Sequence, residues 1–327
     1  MHNINIMSKA HFFLLITSLL LISCKNDTKR LAEASGKINT ISVIIDDQLW
    51  NGEIGDTIRN KFASPIIGLP QEEPLFSINQ YPVKLLEGFM TNSRNIIVVK
   101  KGTSSRFQIV KDEFAKPQNV IHISGKTVIE IVDIIEKNAS KIIRLMHNTE
   151  IAEAQKLIDT SLLDHKKIRQ KFKISLDIPS GYKYVMKKDK FIWLKREIIS
   201  GNTSILIYAV PEKCLEKNSD AITDIIHMRD SIGNLYIHGT VPGSRMITEE
   251  AYAPYLSTAI INGKKAYETK GTWELKNDYM SGPFINYAIK DKKNKRLIVI
   301  EGFCYAPSKE KRDLMHELEA IIKSVKF

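Results

Sequence analysis

The stretch "KRLIVIEGFCYAPSKEKRDLMHELEAIIKSVKF", Lys295–Phe327, decides the fold class. Its first part, "KRLIVIEGFCYAP", is rich in β-branched and aromatic residues and reads as a strand. Pro307 ends that run, and Ser308 stands where an N-cap would. Beyond it Leu314, Leu318, Ile321, Ile322 and Val325 recur at helical spacing, leaving the charged residues on the opposite face. A strand followed by an amphipathic helix needs a sheet for the helix to cover. Working outward, that sheet is easily found. "FKISLDIPSGYKYV", "KFIWLKREII" and "TSILIYAVP" read as three successive strands. A helix around "DAITDIIHMRDSI" follows. "NGKKAYETKGTWEL" and "GPFINYAIKD" are two further strands before the final one, with turn signals at "KND" and "DKKNK". Short turns between neighbouring strands imply an antiparallel sheet with helices packed against it.

Upstream the pattern differs. "INTISVIID", "LFSINQ", "RNIIVVKK" and "NVIHIS" read as strands. Short helices at "GEIGDTIRNKFA" and "PVKLLEGFM" alternate with them. The longest regular element runs from Thr127 to about Leu157. Val128, Val132, Ile135, Ala139, Ile142 and Met146 give it one apolar face. "LLDHKKIRQKF" continues it after a break near Asp159. The expectation is an α+β chain of two packed subdomains. Residues 38–171 form a mixed α/β segment with a long amphipathic helix, and residues 172–327 an antiparallel sheet with helices. The order of three strands, helix, three strands, helix is similar to the α/β/α sandwich of PsbP-like and Mog1-like proteins.

The first residues carry an address. Lys9 precedes the apolar run "AHFFLLITSLLLIS". The run is too short to span a bilayer, which takes about 20 apolar residues, and it fits the core of a secretory leader. Leu21-Ile22-Ser23-Cys24 resembles the lipobox of bacterial lipoproteins. The resemblance implies cleavage before Cys24 and a lipid on its thiol, hence a leader over residues 1–23 and palmitate-type acylation. Several acyl chains anchor stably at about 0.8 kcal/mol per buried methylene, whereas one does so only marginally. Residues 24–37, "CKNDTKRLAEASGK", lack apolar periodicity and read as a flexible tether. Lys29 and Arg30 sit where surface-exported lipoproteins carry acids, which favours the periplasmic face over surface exposure.

The chain has 327 residues, 43% of them hydrophobic, enough for one large core or two modest ones. The formal charge is +11, and loss of Lys9 with the leader leaves +10. The lysines are interleaved with acids in "KKDK", "KDKKNKR" and "SKEKRD". No basic block alternates with aromatics as a nucleic-acid groove requires, so no nucleic-acid partner is expected. Cys214 and Cys304 remain in the mature chain. Their spacing assigns no disulfide, and two free thiols are the expectation.

Chemistry-bearing motifs are few. "HISGKT" has the strand–Gly-Lys-Thr–helix order of a phosphate loop, but Val120 replaces the glycine that would let backbone amides wrap a phosphate. Ser180-x-x-Lys183 and Ser308-x-x-Lys311 match a serine-acylase spacing without its other motifs. The histidines show no metal-ligand spacing. Neither a cofactor nor a metal is expected, and no catalytic residue is assigned. The remaining candidates are polar residues flanked by aromatics: Trp193 and Arg196 in "FIWLKRE", Arg229 and Asp230 in "MRD", and Glu268 and Trp273 in "YETKGTWEL".

"DDQLWNGEIGDTIR", "GLPQEEPLFSINQ", "IPSGYKY", "GTWEL", "MSGPFINYAI" and "EGFCYAPSKEKRDLMHELEAI" together resemble an uncharacterised family of Bacteroidota lipoproteins, domain of unknown function 4837. Arg245 departs from it where an aromatic is expected. The resemblance implies an envelope location and one shared architecture, and no activity. The expected role is therefore binding or scaffolding of an envelope protein, glycan or lipid by a membrane-anchored domain. An envelope hydrolase is the alternative, with Trp193, Glu268 and Trp273 lining its cleft.

Overall fold

The computed structural model describes residues 31–85, 91–215 and 220–327. The leader, Cys24 and the tether up to residue 30 lie outside the described residues. The chain is α+β, and its described residues form two large sheets joined by one long helix, with a third sheet of two short strands.

Two short strands, β1 (Ala32–Glu33) and β2 (Thr40–Ile44), open the described chain, followed by α1 (Asp47–Trp50), α2 (Glu53–Phe62) and β3 (Ser77–Tyr81). Next come β4 (Asn95–Lys101), β5 (Arg106–Lys111), β6 (Ala115–Lys116), β7 (Asn119–Gly125) and α3 (Val128–Ile158). The five-stranded sheet has the order β3-β2-β4-β7-β5. Its first four strands are parallel, and β5 runs antiparallel to β7. Alternation along β2 sends Ile41 and Val43 to the face that α2 and α3 cover, with Ile54, Ile58, Ile97, Ile131 and Ile135. The opposite face holds only a small cluster of Ile44, Ile96, Val98 and Val120 with Tyr81 and Phe114 beside it. Its remaining residues along β2 and β3 are polar.

At about 1.5 Å per residue the 31-residue α3 is long enough to serve two cores. Ile131 to Met146 pack on the first sheet, and Ile151, Ala154 and Ile158 on the second. Thr127 caps its start by accepting from the Glu130 N–H.

The second half contains α4 (Lys166–Phe172), β8 (Lys183–Lys188), β9 (Phe191–Ile198), β10 (Gly201–Pro211) and α5 (Ala221–Tyr236). After these follow β11 (Arg245–Thr248), β12 (Tyr255–Ile261), β13 (Lys264–Lys276), β14 (Ser281–Asp291), β15 (Arg296–Tyr305) and α6 (Arg312–Lys323). The sheet is antiparallel, ordered β11-β13-β14-β15-β10-β9-β8, with β12 pairing the other half of β13. One face packs on α6, α4 and the end of α3 through Ile205, Ile207, Ile285, Ile298, Ile300, Leu318 and Ile322. The other packs on α5 through Leu206, Tyr208, Ile225, Met228, Phe284 and Val299. Helices on both faces make this half an α/β/α sandwich.

Four local expectations are corrected. Residues 31–37 are not a free tether: β1 pairs with β6, Ala34 is buried, and the Gly36 carbonyl accepts from Arg94 Nη2 at 2.8 Å. Ser308 is not the cap of the last helix. Lys311 occupies the N-cap position, and the Glu73 carboxylate accepts from the Lys311 and Arg312 N–H groups at 2.7 Å each. A carboxylate from a distant loop thus satisfies the orphan amides that a local serine would. "FKISLDIPSGYKYV" becomes a strand only at Lys183. Ile174, Leu176 and Ile178 alternate into the core, but isolated bridges at Ser175 and Pro179 are the pairing there. The second sheet has eight strands instead of six, because β11 and β12 share one edge of β13.

Candidate functional site

Where the two sheets meet, an ionic cluster closes around a phenol. Lys270 on β13 and Tyr287 on β14 face α6, as does Glu268, because even positions of β13 and odd positions of β14 point to that side. Tyr287 donates to Glu268 Oε2, and its oxygen lies 3.3 Å from Glu319 Oε1. Lys270 Nζ sits 3.3 Å from Glu268 Oε1 and 3.8 Å from Glu319 Oε2. Glu319 is also reached by Lys323 Nζ at 2.5 Å and by His147 Nε2 of α3 at 3.5 Å.

Burial alone would raise the Glu319 carboxyl. Lys270, His147 and Lys323 outweigh it and hold the group well below the usual carboxylate range. Burial would likewise lower Lys270, but Glu319 and Glu268 keep it raised. Burial and the two carboxylates push the Tyr287 phenol up, so it stays a neutral donor. A pocket of about 80 Å³ opens beside the cluster, walled by Ile66, Leu69, Leu75, Phe284 and Met315. His316, on the same wall, packs edge-on against His147 at 5.6 Å. Burial and His147 lower its imidazole to about 4. The lining contains no serine, threonine or cysteine among the described residues. Each charge is matched by a neighbour, so the cluster locks α3, α6 and the second sheet together. Glu319, held ionised, has no proton to give.

The six candidate residues do not converge. Trp193, Arg229, Asp230 and Trp273 lie on the α5 side of the second sheet, and Arg196 and Glu268 on the α6 side. Trp193 Nε1 donates to Ser204 Oγ at 3.1 Å. Trp273 Nε1 donates to the Cys304 carbonyl at 3.2 Å and packs edge-on against Phe303. Arg229 is almost wholly buried, with its guanidinium 3.8 Å above the Phe284 ring. It donates to Glu301 Oε1 at 3.0 Å and to Thr248 Oγ1 at 2.9 Å, while Asp230 accepts from the Thr248 N–H and hydroxyl. Arg196 stacks over Tyr182 and pairs with Glu317 at 2.8 Å. The cleft expected from Trp193, Glu268 and Trp273 does not form: Trp273 is five positions along the strand from Glu268, an odd step, so the sheet lies between them. The two free thiols are as expected, Cys214 half-buried and Cys304 buried. Among the described residues no group of three His, Cys, Asp or Glu side chains could hold a metal ion.

A broad concavity was not among the sequence candidates. It lies on the polar face of the first sheet and has a volume of about 560 Å³. Its floor is built by register: Thr40 pairs with Ser77 and Ser42 with Asn79. Tyr81 stands at one end and Ser93 beside Ser42, their hydroxyls 2.8 Å apart. Lys37, Arg94, Glu310, Arg312 and Asp313 form the charged part of its wall. The signal was present in "TISV" and "SINQ", where every second residue is small and polar. Only the pairing of β2 with β3 makes two such rows one surface.

No curated protein matches the chain. Two solved structures are similar, a mutant of protein Mog1 and the Saccharomyces cerevisiae Ran-binding protein Mog1p. Each is 10% identical, with 47% of this chain and 89% of the other covered and a TM-score of 0.31. Residues 34–159 match a family model described as Domain of unknown function (DUF8532). Residues 161–324, half of the chain, match the one described as Domain of unknown function (DUF4837), and the chain belongs to that family.

Proposed function

We propose that the chain is a lipid-anchored cell-envelope protein that binds a polyhydroxyl ligand, a glycan, without chemically altering it. The leader and Cys24 supply the anchor, with the domain on the periplasmic face. The observation that carries the binding role is the paired row of Thr40, Ser42, Ser77 and Asn79 along the polar concavity of the first sheet, with Tyr81 at its end. Short hydroxyls and an amide offer donors and acceptors at strand spacing, and a phenol ring offers a face for a sugar to stack on. The two arginines in the wall are already engaged, Arg94 with Glu150 and Arg312 with Asp313, which suits a neutral ligand better than an anion.

Titration calorimetry of the full chain against soluble cell-wall and surface oligosaccharides tests the reading. Asn79 is exposed, so Asn79→Trp fills the groove without entering a core. It is expected to abolish binding while leaving the melting temperature unchanged. Equal binding by both proteins, or by neither, refutes the groove. Palmitate labelling that persists in Cys24→Ala refutes the anchor.

A hydrolase is the second reading, and the sharing of Tyr287 by Glu268 and Glu319 is the arrangement that favours it. It requires that reducing ends be released from an envelope glycan and that Glu268→Gln stop the release.

A further inference from the structure

The outer edge of β12 is bare. Tyr255–Ile261, "YLSTAII", pairs with β13 on one side, and among the described residues no strand pairs on the other. Tyr255 is 57% exposed, Leu256 37% and Ile260 67%, and Ser257 and Thr258 are exposed as well. An unpaired strand edge is a template for another strand, and proteins blunt such edges with charge or proline. This chain does so elsewhere. The opposite edge of the same sheet, β8, carries Lys183, Lys187 and Lys188, and the β5 edge of the first sheet carries Arg106 and Lys111. In β12 there is no charged residue, no proline and no break in register.

The flanks of β12 carry opposite signs. On one side come Glu249 and Glu250, close enough to Glu274 to raise its carboxyl after burial has done so. On the other, after the Asn262–Gly263 turn, come Lys264 and Lys265. Thr258 pairs with Tyr267, which marks the middle of the edge. The Glu249 N–H donates to the Thr272 carbonyl, so Glu249 lies beside a residue five positions from Tyr267. The turn at Asn262 lies five positions from Tyr267 in the other direction.

We infer that β12 is the contact between two copies of this chain, paired antiparallel about a two-fold axis through Thr258. Thr258 then faces its own copy, and Leu256 faces the copy's Ile260 on the same side of the sheet. Tyr255 faces Ile261. The acidic end of each strand falls beside the lysines of the other, so the edge is complementary to itself in both shape and sign. The two eight-stranded sheets become one, and main-chain hydrogen bonds supply the attachment. The glycan groove lies on the other sheet, so this inference does not depend on it.

Sedimentation velocity of the full chain in detergent, across a concentration series, tests the pairing. The wild type is expected to sediment as a dimer. Thr258→Lys sets two ammonium groups opposite each other and is expected to weaken the dimer by roughly fivefold, because like charges directly opposite on paired strands repel. Thr258→Glu should do the same, and an equimolar mixture of the two variants should regain the dimer. Thr258 is exposed, so neither change should alter the far-ultraviolet circular dichroism. A wild type that stays monomeric throughout, a dimer indifferent to Thr258→Lys, or a mixture that remains monomeric overturns the inference.

Discussion

Replacing Glu150 by alanine should cost more stability than any other single truncation on α3. The residue interrupts the apolar face of the helix and is completely buried. Its Oε1 accepts from Arg94 Nε at 3.1 Å and Asn95 Nδ2 at 2.7 Å. Its Oε2 accepts from Arg94 Nη2 and the Asn39 N–H at 3.2 Å each. Arg94 is itself only 5% exposed, and the Gly36 carbonyl is the other acceptor it uses. Glu150→Ala therefore strands a buried guanidinium, which costs about 3–5 kcal/mol. The two further donors lose their acceptor, each at about 1 kcal/mol or more, although such terms overlap. A total near 5 kcal/mol corresponds to a fall in melting temperature of roughly 7 °C for a chain of this size. Glu150→Gln keeps the shape and one acceptor oxygen and should lose about half as much. Arg94→Met with Glu150→Met removes both charges and should recover most of the loss, since an apolar pair of similar volume often replaces a buried ion pair at little cost. Calorimetry of the four proteins at pH 7 measures the series. A Glu150→Ala protein within about 1 kcal/mol of wild type, or a double variant no better than the single, would refute the reasoning.

Three other expectations concern pH, reactivity and capping. The folded pKa of His316, about 4, lies below its unfolded value near 6.5, so the unfolded chain takes up the proton first. The contribution of this group is complete above pH 6.5 and fades as the pH falls towards 4, about 2 kcal/mol having gone by pH 5. His147, Glu319 and Asp313 face the ring. The two carboxylates are held below their usual range and do not share that window. His316→Phe should flatten the melting temperature between pH 6.5 and 5 relative to wild type; parallel curves would count against it. Burial raises the Cys304 thiol to about 12, so a maleimide should label Cys214 in the native chain and Cys304 only after denaturation, as peptide mass mapping would report. Glu73→Ala uncaps α6 and should lower stability by about 1–2 kcal/mol in urea unfolding, whereas Ser308→Ala should be silent.

Patterns of period two and period 3.6 were legible, because each records which side of an element meets the core. Thus "LIVIEGF" and "TSILIYA" are strands, and the apolar residues of α3 and α6 face their sheets as the spacing required. The α+β class and the order of most elements followed. The candidate site was legible only in its residue types. Glu268 does join a charged cluster, but Glu319, Lys270, Tyr287 and His147 were not picked out beside it. In sequence they are an ordinary set of charged and aromatic residues on four separate elements.

What a short window of sequence dictates is local: propensity, alternation and turn chemistry. What it does not contain is which distant group meets which. Asn39 bonds to Asp313 across 274 residues, Glu73 caps a helix 239 residues away, and Glu150 gathers donors from more than 50 residues upstream. These contacts exist only after the two sheets have docked along α3. Strand pairing within each sheet sets Trp193 and Trp273 on the side away from Glu268 and lays two unremarkable polar rows side by side. Backbone periodicity is fixed by neighbours a few residues apart, whereas hydrogen-bond partners are fixed by the packing of whole elements, and that order of dependence is why the fold could be read and its sites could not.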